Sequence, residues 1–313
     1  MEDIIPPVDL KLLESELSED KFLRETNNGG NEIYVVTYHN SPNIMREIGR
    51  LREITFRNAG GGTGKSYDLD DFDTMEKPYN QLIVWSPAEK EIIGGYRYYV
   101  CTEVPRDKDG NIRLAMARLF QFSEKFIKEY LPHMIELGRS FVVPRFQASK
   151  WNKESRKRGI FTLDNLWDGL GALVSKHPDV RYFFGKVTMY THYIQKARDM
   201  ILFFLKKHFA DKEDLLRPYN PLKINTPDSE MAKIFTGSNY LEDYKILFRR
   251  VRGLGENIPP LINAYMNLSP SMRTFGTALN VHFGNVEETG MMVTIRDIYE
   301  TKKDRHLLMP QKG

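Results

Sequence analysis

The chain has 313 residues, 41% of them apolar and 28% charged, with a formal net charge of +3. That is enough apolar matter for a sizeable core and too little excess charge to indicate nucleic acid as a partner. The lone cysteine, Cys101, excludes an intramolecular disulfide and suits a reducing compartment. The longest apolar stretch, Met200 to Leu205, is far too short to cross a bilayer. A soluble, cytoplasmic protein is expected, with contact at a membrane surface left open.

The start, MEDIIPPVDLKLLESELSED, is acidic and amphipathic, without an apolar leader. Glu32 to Tyr38 (EIYVVTY) is β-branched and aromatic, which predicts a strand. Ser41 and Pro42 then read as an N-cap and first helical residue. The helix that follows has Ile44, Ile48, Leu51, Ile54 and Phe56 at helical spacing. It runs into AGGGTGKS, residues 59–66, whose ending looks like a phosphate-binding loop. Such a loop follows a strand and opens a helix. This one follows a helix and precedes the acidic YDLDDFD, so a flexible lid is expected rather than a phosphate cradle.

Gln81 to Trp85 and Glu91 to Cys101 read as a hairpin across SPAEK. Leu119 to Tyr130 reads as a helix. Met134 to Val143 reads as a strand interrupted by Gly138, a residue that marks a bulge or close approach. A helix over Lys153 to Lys176, a strand over Val180 to Tyr190 and a basic amphipathic helix over Tyr193 to Phe209 follow. Residues 211–230 read as a loop. Helices near Tyr240 to Arg252 and Pro259 to Leu268 precede two last strands, FGTALNVHF and MMVTIRDIY. The order predicts an α/β (α+β) fold, with a mixed, mostly antiparallel central sheet flanked by helices. Residues 1–31 form an N-terminal segment, 32–210 the core, and 211–313 a C-terminal helical and β extension on the same domain.

Arg52 and Phe56 in R-x-x-x-F, DDFD at Asp70 to Asp73, IIGGYRYY with Arg97, and ELGRSFVVP from Glu136 to Pro144 occur in one order. This set resembles the acyl-carrier-protein-dependent branch of the GNAT acyltransferase fold. That branch holds the acyl-homoserine-lactone synthases and the amino-acid N-acyltransferases that start ornithine and glycine lipids. The resemblance runs from about Glu32 to Ile295 and includes the tail segment PPLINAYMNLSPSMRTFGTALNVHFGN. It implies transfer of a fatty acyl group from an acyl carrier protein thioester to the amine of a small amino acid, of glycine or ornithine type. The donor is then the carrier's phosphopantetheine arm, with no tightly bound cofactor and no metal. Coenzyme A fits less well, because RFQASKWNKESRKRG after Pro144 has no glycine before Gly159 for a pyrophosphate loop. Asn80-Gln81 stands where the family carries an acidic–histidine pair. A nucleotide-binding protein and a noncatalytic carrier- or membrane-binding module stand as alternatives.

The resemblance also implies that Met134 to Val143 and Val180 to Tyr190 splay apart around the thioester, with Phe141 and Val142 as substrate contacts and backbone amides polarising its carbonyl. An attacking amine must lose a proton. Glu136 is the first candidate base and Asp73 the second, and Glu136 can equally be an ion-pair partner of Arg97 or Arg139. Glu136 and Arg139 share a face only if Gly138 makes a bulge, which is expected. Arg52, Phe56 and Asp71 are candidate substrate contacts. The aspartates can hold an ammonium group or pair with Arg52 and Arg97, and Asp68 and Asp70 can also be a solvated loop. Lys150, Lys153, Arg156, Lys157 and Arg158 form a basic run that suits an acidic carrier protein, an ordinary solvated face or anionic lipid. The helix over Tyr193 to Phe209 reads as core packing first and membrane contact second.

Overall fold

The computed structural model describes residues 1–147 and 153–306, and for residues 153–160 the helical backbone alone. The elements are α1 (Leu10–Glu16), β1 (Phe22–Glu25), β2 (Glu32–Val36), α2 (Pro42–Asn58), α3 (Asp71–Thr74), β3 (Asn80–Ser86), β4 (Glu91–Val100), β5 (Phe120–Phe122) and β6 (Met134–Val142). After them come α4 (Lys153–Lys176), β7 (Tyr182–Met189), α5 (Gln195–Phe209), β8 (Leu216–Pro218), α6 (Asp228–Ile234), α7 (Tyr240–Gly253), α8 (Pro260–Met266), β9 (Arg273–Asn280), β10 (Val286–Thr294) and α9 (Glu300–His306). They form two compact units. The first is Met1–Ala115, His133–Arg181 and Tyr299–Gly313, and the second is Met116–Pro132 and Tyr182–Ile298.

The first unit is built on an antiparallel sheet, β1-β2-β3-β4-β6. α2 buries Ile44, Met45, Ile48, Leu51 and Phe56, each contributing about 1.5–3 kcal/mol by removal from water. Ser41 and Pro42 take the N-cap and first helical positions, as expected, but the serine side chain makes no capping bond. The Ser41 hydroxyl turns to Asn40 Oδ1, 3.1 Å away. The Glu16 carboxylate of α1 instead takes the Asn43 and Ile44 N–H groups, at 3.1 and 2.8 Å. A full negative charge on these orphan donors also meets the helix dipole, so it displaces a hydroxyl. Gly95 in β4 is required by close approach, since a Cβ there would lie 2.7 Å from Leu82 O. α9 closes the unit. His306 Nδ1 donates to the buried Asp168 of α4 at 2.9 Å. Asn27, just after β1, donates its side-chain amide to Asp168 Oδ1 at 3.0 Å and to Arg305 O at 2.8 Å.

The second unit holds the antiparallel sheet β7-β10-β9 and the ribbon β5-β8. Where a helix is expected over Leu119 to Tyr130, the chain forms β5 and a single π-turn over Phe126–Tyr130. Phe120 pairs with Pro218 across the ribbon and is fully buried, so long-range pairing overrides local propensity. Residues 211–230 contain β8 and the first turn of α6 rather than loop alone. The apolar side of α5 (Ala197, Ile201, Phe204, Leu205) is buried, in keeping with core packing. Phe183, Phe184 and Met189 on β7 are likewise buried.

Candidate active site

Seven charged or amide side chains of the first unit converge. Arg52, fully buried on α2, donates from Nη1 to both oxygens of Asp73, at 3.3 and 3.1 Å, and from Nη2 to Gln81 Oε1 at 2.5 Å. Gln81 Nε2 returns to Asp73 Oδ1 at 2.9 Å. Arg97 Nη1 donates to Asp70 Oδ1 at 2.7 Å and to Asp73 Oδ2 at 3.2 Å. The Asp70 N–H donates to Asp73 Oδ2 at 3.1 Å, and the Asp70 side chain accepts from Phe72 N–H at 3.0 Å. This capping box explains why α3 exists. The Arg97 guanidinium carbon stands 5.4 and 5.2 Å from the Phe72 and Tyr79 ring centroids, within cation–π range. Burial pushes the Asp70 carboxyl up, and the Arg97 guanidinium more than reverses it, holding the carboxyl well below its usual range. Burial works against the charge of Arg97, and Asp70 with Asp73 outweigh it.

Asp68 is not a solvated loop residue. It is fully buried, with Arg139 Nε 2.9 Å from Oδ2. Neither of its oxygens accepts a hydrogen bond. Burial pushes its carboxyl up against the opposing pull of Arg139 and Arg52. Arg139 Nη2 also lies 3.7 Å from Asp70 Oδ2. The expected bulge is present one residue beyond Gly138. Between the pairs Gly95↔Phe141 and Arg97↔Gly138 one residue of β4 faces two of β6. Arg139 there takes φ +50°, a conformation costly for a side-chain-bearing residue.

Glu136 is buried on β6, and Tyr79 OH donates to its Oε2 at 2.5 Å. The Ala115 N–H in turn donates to the Tyr79 oxygen at 3.0 Å. Burial first and the neighbouring carboxylate second raise the Tyr79 phenol, so it stays a donor. Burial, with Glu136 second, also raises the Cys101 thiol, which makes it a poor nucleophile. Of the other candidates, Phe56 and Phe141 are buried, Val142 is half-buried and Asp71 is exposed on the first turn of α3. Lys150 lies outside the described residues, as do the side chains of Lys153, Arg156, Lys157 and Arg158. Among the described residues no group of three or more His, Cys, Asp and Glu side chains could hold a metal ion. No described helix is long and apolar enough to cross a membrane.

The glycine loop does cradle an anion, and the anion is its own chain's. Glu53, fully buried on α2, accepts from Thr63 N–H at 3.0 Å, Thr63 Oγ1 at 2.7 Å and Gly64 N–H at 2.8 Å. Arg57 adds bonds at 3.1 and 2.9 Å. Burial raises the Glu53 carboxyl, and these donors together bring it below its usual range. Gly62 turns the loop at φ +91°. The N-terminus runs alongside, with Glu2 N–H on Gly64 O at 2.8 Å, Ile5 N–H on Ser66 O at 3.1 Å and Ser66 N–H on the Glu2 carboxylate at 2.8 Å. The lid expectation is therefore corrected. The loop is stitched down on both sides, and the amides a nucleotide phosphate would need are occupied.

Sequence reasoning found Arg52, Asp70, Asp73, Arg97, Glu136 and Arg139. It overlooked Tyr79, Gln81 as a link and Glu53. For the first two a signal existed, since Tyr79 and Gln81 flank the strand start two apart and so share a face. Comparison with known proteins now decides the family. An acetyltransferase (GNAT) domain model matches residues 51–153. Over 98% of its length the chain is 57% identical to the glycine N(alpha)-acyltransferase of Bacteroides thetaiotaomicron, covering 90% of that protein. It is 56% identical, again over 98%, to the glycine N(alpha)-acyltransferase of Phocaeicola vulgatus, covering 93% of it. The chain belongs to this family. It is a GNAT-type acyltransferase, and the span 51–153 contains every member of the charged network, Tyr79 and Glu136. The solved structure of a CoA-dependent acyl-homoserine lactone synthase, BjaI, with SAM and isopentyl-CoA aligns over 90% of this chain and 92% of that one. Its TM-score of 0.40 and 13% identity are too low to bear on the site.

Proposed function

We propose that the protein transfers a fatty acyl group from an acyl carrier protein thioester to the amine of glycine, the first step of aminolipid synthesis. The observation that carries this reading is the near-full-length likeness, at 57% identity, to a glycine N(alpha)-acyltransferase. The glycine-free stretch after Pro144 favours a carrier-protein donor over coenzyme A. The basic run from Lys150 to Arg158 suits an acidic carrier.

In this reading the glycine amine attacks the thioester carbonyl, a C–N bond forms, the C–S bond breaks, and the phosphopantetheine thiol leaves. Glu136 takes the amine proton, which is passed on to the departing thiolate. Tyr79 donates to Glu136 Oε2 at 2.5 Å and orients the carboxylate. Asp73 suits the role poorly. Both its oxygens already accept from Arg52, Gln81, Arg97 and the Asp70 amide. Asp73, with Arg52 and Arg97, is the frame.

The test is direct. Purified protein is given a long-chain acyl thioester, on carrier protein or on coenzyme A, with a panel of amino acids, and products are read by mass spectrometry. N-acylglycine formed faster from the carrier thioester supports the proposal. Equal use of coenzyme A removes the donor assignment, and no preference for glycine removes the acceptor.

A further inference from the structure

α7 buries Asp243, Leu247 and Val251 and packs with α5, so its opposite side faces outward. On that side Leu241, Lys245, Phe248, Arg249 and Arg252 follow one another at helical spacing, and all five are exposed. Leu241 is 66% exposed and Phe248 45%. The Arg252 guanidinium lies 5.2 Å from the Phe248 ring centroid. Among the described residues no carboxylate ion-pairs with Lys245, Arg249, Arg250 or Arg252. A third apolar side chain sits near the end of the helix. Ile194, 43% exposed, donates its N–H to the Glu256 carboxylate at 3.0 Å, and Tyr193 OH donates to Asn257 O at 2.7 Å.

Single exposed apolar residues are ordinary. Exposed Leu and Phe set one turn from unpaired cations, on one helix face, match a specific surface. An anionic bilayer offers apolar volume at the headgroup–acyl boundary and phosphates just above it. We infer that this face seats the protein on an anionic lipid surface, with Leu241 and Phe248 entering the boundary and Lys245, Arg249 and Arg252 meeting lipid phosphates. The long stems of the cations let their charges reach the phosphates while the apolar pair goes deeper. The inference stands on the helix face alone and does not rest on the acylation reading. It differs from the expectation placed on α5, whose apolar side is consumed by packing.

The full chain is sedimented with vesicles of phosphatidylcholine alone and of phosphatidylcholine with phosphatidylglycerol, at low and high salt. Binding only to the phosphatidylglycerol vesicles, weakened by salt, is expected. K245E/R249E/R252E should lower the bound fraction at least about tenfold, and L241S/F248S should lower it at both salt concentrations. Unchanged thermal midpoints and the milder K245Q/R249Q/R252Q variant separate lost docking from lost folding. Wild-type protein that stays in the supernatant, or variants that bind as wild type does, overturn the inference. So does a charge-reversed variant that keeps vesicle binding while losing affinity for acyl carrier protein, because the face would then belong to an acidic protein.

Discussion

Glu53 and Asp68 are both fully buried carboxylates of the first unit, fifteen positions apart in sequence, and their ionisation is pushed in opposite directions. Burial penalises the charge of each. Glu53 wins it back from two loop amides, a hydroxyl and a guanidinium. Asp68 has a guanidinium 2.9 Å away and no hydrogen bond on either oxygen. Proximity of opposite charge is thus not equivalent to directed donors. A saturated carboxylate is architecture. The Asp68 carboxylate, in a network where Arg52 Nε and Arg97 Nε also have no hydrogen-bond acceptor among the described residues, is balanced by proximity of charge alone.

The largest effect should come from breaking the network. Arg97→Leu removes the cation shared by Asp70 and Asp73 and should cost about 3–5 kcal/mol, read by denaturant unfolding. A loss below about 1 kcal/mol would mean the aspartates are satisfied without it. Next, Glu136→Gln should lower kcat on the order of 10²-fold with its melting midpoint intact. Retained activity would reassign Glu136 to the scaffold. Third, Glu53→Gln should destabilise by about 2 kcal/mol at neutral pH. The sign follows from linkage. The folded-state ionisation of Glu53 lies below its unfolded value of about 4.3, so its contribution is present above that pH and is lost as pH falls toward the folded value. The gap between wild type and this variant should close in acid. Asp68 is raised, so Asp68→Asn should show the reverse, a difference that grows as pH rises through the folded ionisation. Parallel pH curves for the two variants would erase the contrast. Smallest of all, Lys65→Ala should change stability by less than about 0.5 kcal/mol, because its side chain takes no part in the cradle.

Much of the first unit was legible because its signals are local. The hairpin of β3 and β4 and the apolar spacing of α2 are written within a few residues; the acidic pair three apart that caps α3 is as local, but it read only as an acidic stretch. The glycine loop's true ligand was not legible, because Glu53 sits within α2, the helix that leads into the loop, and no local pattern distinguishes a helix glutamate that reaches such a loop from one that faces water. β5 was missed for a related reason. Its partner β8 lies nearly a hundred residues on, and three residues of strand carry too little periodicity to compete with the helical look of Leu119 to Tyr130. Tyr79 stands just before β3, outside every motif of the sequence. The Gln81 amide donates to Asp73 and accepts from Arg52 at once, so it links the two within the frame.

The clasp of α9, through His306 on Asp168 and the Arg305 carbonyl on Asn27, has a consequence for how the protein is made. The first unit is discontinuous, and its last described piece leaves the ribosome after all of the second unit has been synthesised. The second unit can complete itself while the first still waits for its closing helix. Until then Asp168 is a carboxylate in an unfinished interior, and β1 lacks the neighbour that ties the Asn27 side chain to Arg305. A released chain truncated before residue 299 should thus show a protease-resistant second unit and a cleavable first one, an order of assembly opposite to the order of synthesis.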